Sequence, residues 1–403
     1  MHPVLTQSLA DGPRRGRSAR VSTRSGQTQS GKAALLLRIS ALIALPLVTA
    51  TAGALLPAST AWATRPGAHV PIAYVADVAI NTPGPPITVG GTPEAIAITP
   101  NGKTAYVVNY VRNPRTVVGT VTPINTATNT PGPPIRVGGD PRPIAITPNG
   151  KTAYVANEGS STVTPISTAT DTPGPPIRVG GDPYAIAITP NGKTAYVASV
   201  VVGGPPDYYP VGAVTPINTA TNTPGPPIKV GGEARAIAIT PNGKTAYVVN
   251  DSTVTPISTA TNTPGPPITA GYGAFAIAIT PNGKTAYVAS GVGLGVHPVG
   301  TVTPINTATN TPDPPIKVDG EPLLIAITPN GKTAYVVNGG LDTVTPINTA
   351  TNTPGRPIKV GRNPDAIAIT PNGKTAYVVN AEGLSALSPA AQDYIGTVTP
   401  IHI

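Results

Sequence analysis

The stretch AIAITPNGKTAYVVN, residues 95–109, returns unchanged at 236–250 and at 366–380. Its core, PNGKTAY, occurs seven times, beginning at Pro100, Pro148, Pro190, Pro241, Pro281, Pro329 and Pro371. The spacings between successive copies are 48, 42, 51, 40, 48 and 42 residues, the period of a repeat architecture. Each unit resolves into four short extended segments: A (AIAIT), B (TAYVVN), C (GTVTPIN) and D (PPIKVGG). A and B alternate or are β-branched, and Pro-Asn-Gly between them supplies the left-handed glycine that a tight hairpin needs. TPGPP forces a turn between C and D, because proline fixes φ and glycine accepts a positive φ. No segment keeps a 3.6-residue period long enough for a helix.

Four antiparallel strands at this spacing predict an all-β fold, a seven-bladed β-propeller of four-stranded blades. The ends say how the ring closes. IAYVADVAINTPGPPITVGG, residues 72–91, aligns without gaps to a C–D unit, and the chain ends with A, B and a last C, GTVTPIHI. The tally is seven A, seven B, eight C and seven D segments, so the N-terminal D strand is expected to complete the last blade. Which of the two C segments takes the regular place is left open. Proline stands in seven of the eight C segments, at 123, 165, 216, 256, 304, 346 and 400, and is missing only from the N-terminal one. It donates no hydrogen bond, so strand C is expected to bulge there or to pair poorly with D.

Strand B followed by Asn or Ser (YVVN, YVAN, YVAS), after AIAITPNGK and before TVTPINTATNT, resembles the YVTN-type β-propeller repeat family, within the lactonase-like and quinoprotein amine dehydrogenase-like propellers. The resemblance spans residues 72–403. It implies a surface or secreted bacterial or archaeal protein. Relatives that open sugar lactones make a lactonase-like hydrolase the alternative, and single-stranded DNA binding, known in some relatives, a second. The only Trp, Trp62, precedes the repeats, so the WD-type pattern is absent.

Residues 1–63 differ in kind from the rest. A basic stretch (PRRGRSAR) is followed by an apolar run, about 39–56, and by Ala61-Trp62-Ala63, an A-x-A cleavage pattern. This predicts a secretory signal over 1–63 and a propeller over 64–403, secreted or held at the cell envelope; membrane attachment would come only through an uncleaved leader. The chain has a net charge of +9, of which residues 1–63, with seven Arg/Lys and one Asp, hold +6; the remainder carries +3. Most of the basic character therefore belongs to the leader, and nucleic acid is not an expected partner. The absence of cysteine excludes disulfides and thiolate metal sites.

Function is expected where the repeat fails to repeat. The residue before AIAIT (PIAIT in blade 2, LIAIT in blade 6) is Glu94, Arg142, Tyr184, Arg235, Phe275, Leu323 and Asp365 in blades one to seven. With A innermost, these side chains would surround the channel mouth as a mixed pocket for a small polar ligand or a protein. The B–C connections of blades 1, 3, 5 and 7 are long and vary, and they belong to the same face. They bring Tyr110, Tyr208, Tyr209 and Tyr394 there, with Tyr272 from a D–A loop. Catalytic signals are thin. His69, His297 and His402 are scattered, no nucleophile elbow or zinc motif occurs, and no cofactor or metal is expected. Asp140, Asp182, Glu233 and Glu321 sit at matching D–A turns and are expected to cap those turns. The expected protein is a monomeric, non-enzymatic binding scaffold.

Overall fold

The computed structural model describes residues 60–63, 72–77, 82–83, 87–89, 92–113, 116–202, 210–291, 299–384 and 394–403. The expected signal segment up to residue 59, together with His69, Tyr208, Tyr209 and His297, lies outside the described residues. Within them there is no α-helix, and hence none long and apolar enough to cross a membrane.

Seven blades form a ring, as the repeat predicts. Blade 3 represents the regular unit: A is Asp182–Ile188, B Thr194–Val202, C Pro210–Asn218, and D is split into Thr223–Pro224 and Ile228–Gly231. The strands run A-B-C-D, all antiparallel, and blades 1 to 6 share this order. A strands of successive blades lie side by side, which makes A the inner strand. The core lies between blades. Ala185, Ala187, Tyr196, Val214 and Ile228 of blade 3 pack on Ala234, Ile237, Ala246, Val248 and Ile257 of blade 4, and equivalent clusters follow around the ring. Each fully buried Val or Ile contributes about 1.5–3 kcal/mol, so neighbouring blades hold each other folded.

Proline in C acts on one side only. The B–C ladder passes it without a register shift, Tyr196 standing opposite Pro216, so the expected bulge in C is absent. The disturbance falls on D. Residues Ile217 and Asn218 pair with Pro224 and Thr223, Gly212 to Val214 pair with Gly231 to Ile228, and the Gly-Pro-Pro between leaves the ladder. The Gly225 amide still donates to the Pro216 carbonyl at 2.7 Å. A side chain on Gly225 would sit tightly against the Pro216 ring, at 3.1 Å; blade 5 carries Asp313 at this position and its amide makes the same bond, to the Pro304 carbonyl at 2.8 Å.

The seam differs from the expected pairing. Among the described residues the C-terminal blade has three strands, Pro364–Ile369, Thr375–Leu384 and Tyr394–His402. The N-terminal D segment, Ile87–Thr88, pairs with its own C-like strand, Ile72–Asp77, and not with Tyr394–His402. That C-like strand also pairs with Thr60–Ala63, at the expected cleavage site, and Thr60–Ala63 lies against the last two C-terminal strands. Ile87 and Val89 pack on Ala105, Val107 and Ile124 of blade 1. N-terminal strands thus fill the seam as a small sheet of their own. The physical reason is contiguity: a D segment ten residues from its own C-like strand closes a shorter loop than one at the far end of the chain.

Candidate functional site

The A–B ladder slips by one residue at the same place in every blade, between Pro93 and Ala95, Pro141 and Ile144, Pro183 and Ala185, Ala234 and Ala236, Ala274 and Ala276, Pro322 and Leu324, and Pro364 and Ala366. The gap holds Glu94, Tyr184, Arg235, Phe275, Leu323 or Asp365 in six blades, and Arg142 with Pro143 in blade 2. The most variable position of strand A, with six residue types in seven blades, is therefore a β-bulge residue throughout. A bulge leaves its extra residue out of the ladder and re-aims its side chain. Neighbours on the inner strand keep AIAIT because they pack in the apolar core between blades; the bulge residue lies outside that repeated packing.

Two pairs of these residues meet across blade boundaries. The Arg142 guanidinium lies 5.8 Å from the centre of the Tyr184 ring, and the Arg235 guanidinium 5.6 Å from that of Phe275. Both distances fall within cation–π range. Glu94 and Leu323 are half-buried at their own bulges, and Leu323 leans over Gly339, where a side chain would meet it at 2.8 Å. Of the loop tyrosines, Tyr110 stands opposite Thr92 at the top of strand B, and Tyr272 is 72% exposed.

Each arginine is also held by carboxylates. Arg142 pairs with Glu158 and lies 3.6 Å from Asp140; Arg235 pairs with Glu233 and lies 3.8 Å from Asp251. Glu158 opens a 3-10 turn, Glu158–Ser160, directly after strand B of blade 2, and the Tyr184 hydroxyl donates to it at 3.3 Å. Burial pushes the Glu158 carboxyl above the usual range. Arg142 pulls it back, Asp140 and Asp182 add to the rise, and the Tyr184 bond lowers it. Burial likewise raises the Tyr184 hydroxyl to about 12. The arginines are thus committed to internal ion pairs that fix the bulge to the B–C turn.

The acids at the D–A turns do more than cap. Asp140 does adopt the left-handed conformation of a turn, with φ 46°. Yet Asp140 and Glu233 also face the arginines, and Asp182 accepts from the Ser161 hydroxyl at 3.0 Å. Glu158 and Asp251 are the members that sequence reasoning passed over. A signal for them exists: in the two blades whose bulge residue is Arg, and only there, an acid directly follows the last residue of strand B. Among the described residues no group of three or more metal-ligating side chains converges. A surface groove of about 570 Å³ lies elsewhere, between blades 5 and 6, lined by Asp313, Pro315, Lys317 and Asn352.

No protein-family model matches the chain, and no curated protein matches it. Solved structures do. Hydrazine synthase of Kuenenia stuttgartiensis is similar at 21% identity and a TM-score of 0.57, over 76% of this chain and 94% of that one. Dihydro-heme d1 dehydrogenase is similar at 14% identity and 0.59, over 90% and 78%. A candidate 6-phosphogluconolactonase from Bacteroides fragilis is similar at 18% identity and 0.56, over 75% and 94%. At these identities the likeness is one of fold, the β-propeller, shared by proteins of unlike chemistry.

Proposed function

We propose that this protein is an exported, non-enzymatic propeller whose non-repeating face binds a partner at the cell envelope or outside the cell. The observation that carries this reading is the coincidence of variation with geometry: the position that varies most from blade to blade is the bulge residue, on the face of the variable B–C connections. A rigid ring with one variable rim is the arrangement binding loops use. The basic and apolar leader, the lack of cysteine and the resemblance to YVTN-type repeats support export.

The test is capture of partners by the intact protein, repeated with residues 203–209 of the third B–C connection deleted and with the bulge arginines replaced. Arg142→Ala alone would leave the half-buried Glu158 without its cation, at a cost of about 1–3 kcal/mol. The informative variant is therefore Arg142→Ala/Glu158→Ala, which removes both charges together. A folded double variant should lose the partner by at least tenfold; unchanged capture by it and by the loop deletion would end this reading.

Lactone hydrolysis is the second reading, favoured by the similarity to the candidate 6-phosphogluconolactonase. It predicts turnover of a sugar lactone that Glu94→Ala abolishes. A panel of lactones without turnover rejects it.

A further inference from the structure

Six of the seven residues of PNGKTAY have a structural task. A Cβ added to the glycine of blades 2 to 7 would lie 3.2–3.5 Å from the proline of the preceding hairpin, so six contacts join the seven hairpins into one continuous arc. The asparagine accepts from the hydroxyl of the last A-strand threonine and from the lysine amide, as Asn191 does from Thr189 and Lys193. The glycine takes φ near 70°. The threonine amide returns to the same A-strand hydroxyl, the alanine packs between blades, and the tyrosine reaches the next blade. The lysine side chain has no such task. Lys103, Lys151, Lys193, Lys244, Lys284, Lys332 and Lys374 are all exposed, and among the described residues none makes an ion pair.

The hydrogen bonds of this face place the lysines together. The threonine after strand C donates to the hairpin glycine carbonyl of its own blade, as Thr219 does to Gly192, so A–B and C–D turns form one surface. Its described acids are few: Asp171, which accepts from Tyr106 at 2.6 Å, and Asp313. The acidic side chains around the bulges lie on the opposite face. Seven like charges held on contiguous hairpins create a local positive field far larger than the modest net charge of the repeat region suggests.

We propose that this lysine arc docks a base-free, phosphate-rich anionic chain. Lysine ammonium groups act as point charges that suit phosphate without demanding a planar partner. Repetition at one charge per blade matches a polymer whose charges also repeat, and several weak contacts then act as one. Exposed threonines of the C–D turns, such as Thr221 and Thr223, add hydroxyl partners beside the arc. Bases have nothing to stack on here, because the tyrosine of each hairpin is turned inward, so nucleic acid is the weaker fit. This inference concerns the face opposite the proposed partner site and stands or falls separately from it.

Titration of the full chain with inorganic polyphosphate, over a range of salt, tests it. The logarithm of the affinity should fall linearly with the logarithm of salt. Replacing Lys193, Lys244 and Lys284 together by Gln should weaken binding at least tenfold and flatten that slope by about two units. The control replaces Lys229, Lys317 and Lys359 of the outer strands by Gln, which removes the same charge and should change affinity less than threefold. Both variants keep the basic N-terminal stretch, so its contribution cancels. Equal losses in the two variants, no binding of polyphosphate, or equally tight binding of oligothymidylate at matched charge would each overturn the proposal.

Discussion

Tyrosine 154 shows what a single repeated residue does. It sits in strand B of blade 2, and its hydroxyl donates at 2.6 Å to Asn222 in the C–D turn of blade 3. Tyr106, Tyr196, Tyr247 and Tyr287 make the same bond to Asp171, Asn262, Asn310 and Asn352, each acceptor residue held at a φ near +55°. Burial pushes the hydroxyls of Tyr154, Tyr196, Tyr247 and Tyr287 up to about 12, against about 10 in an unfolded chain. The folded state therefore holds these protons more tightly. Their contribution is intact below pH 10 and is lost as pH rises through 12, while the unfolded chain ionises first. The Tm should stay level to about pH 9.5 and fall steeply above 10. Tyr154→Phe should cost about 1 kcal/mol at neutral pH and soften that alkaline fall; an equally steep fall in the variant would contradict the assignment. The Asn-Gly turn beside this tyrosine was legible from the dipeptide alone. Its partner, 68 residues away, was not, because only the ring brings blade n against blade n+1.

At the scale of the strand, the four segments of each blade differ in how firmly they are held. Strand B has a ladder on both sides and ends in a buried Asn or Ser that ties blades together: Asn250 donates to Thr255 and to the Val230 carbonyl of the preceding D segment. Ser290 and Thr303 hold the Ala270 carbonyl in the same way. D is the outermost strand, paired on one side and interrupted by Gly-Pro-Pro. Amide exchange should therefore be slowest in B, by a factor of about a hundred or more over D, with both pieces of D exchanging as loose edges. Exchange in D as slow as in B would show that the split strand is held by something further. The proline pattern made a disturbance in the outer half of the blade legible. Poor pairing with D was one of its two expected forms and is the one found; which of the two would hold was not legible, since a proline in isolation does not say whether its own strand or its neighbour gives way. The bulge in strand A escaped the sequence entirely. AIAIT looks like an unbroken strand, and the variability just before it was the only hint.

The whole molecule is a ring whose seam is filled by N-terminal strands. Ile87 and Val89 cover Ala105, Val107 and Ile124 of blade 1, which would otherwise face water. Ile87→Ala should cost about 2–5 kcal/mol and broaden the thermal transition, because an open ring loses cooperativity between its first and last blades. A sharp, unshifted transition would mean that the seam contributes little to closure. The two faces of the ring carry different charge arrangements. One gathers lysines on identical hairpins, and the other pairs Arg142 and Arg235 with acids on turns that vary.

Class, blade number, hairpin chemistry and the positions that vary were all legible along the chain, because they follow from local rules of turn and strand acting at a fixed period. The strand that the N-terminal D segment joins, the bulge at the variable residue and the pairing of its arginines came from the folded ring. It also decided that seven lysines share one surface. Each of these depends on which segments closure of the ring brings side by side, and distance along the chain carries no record of that.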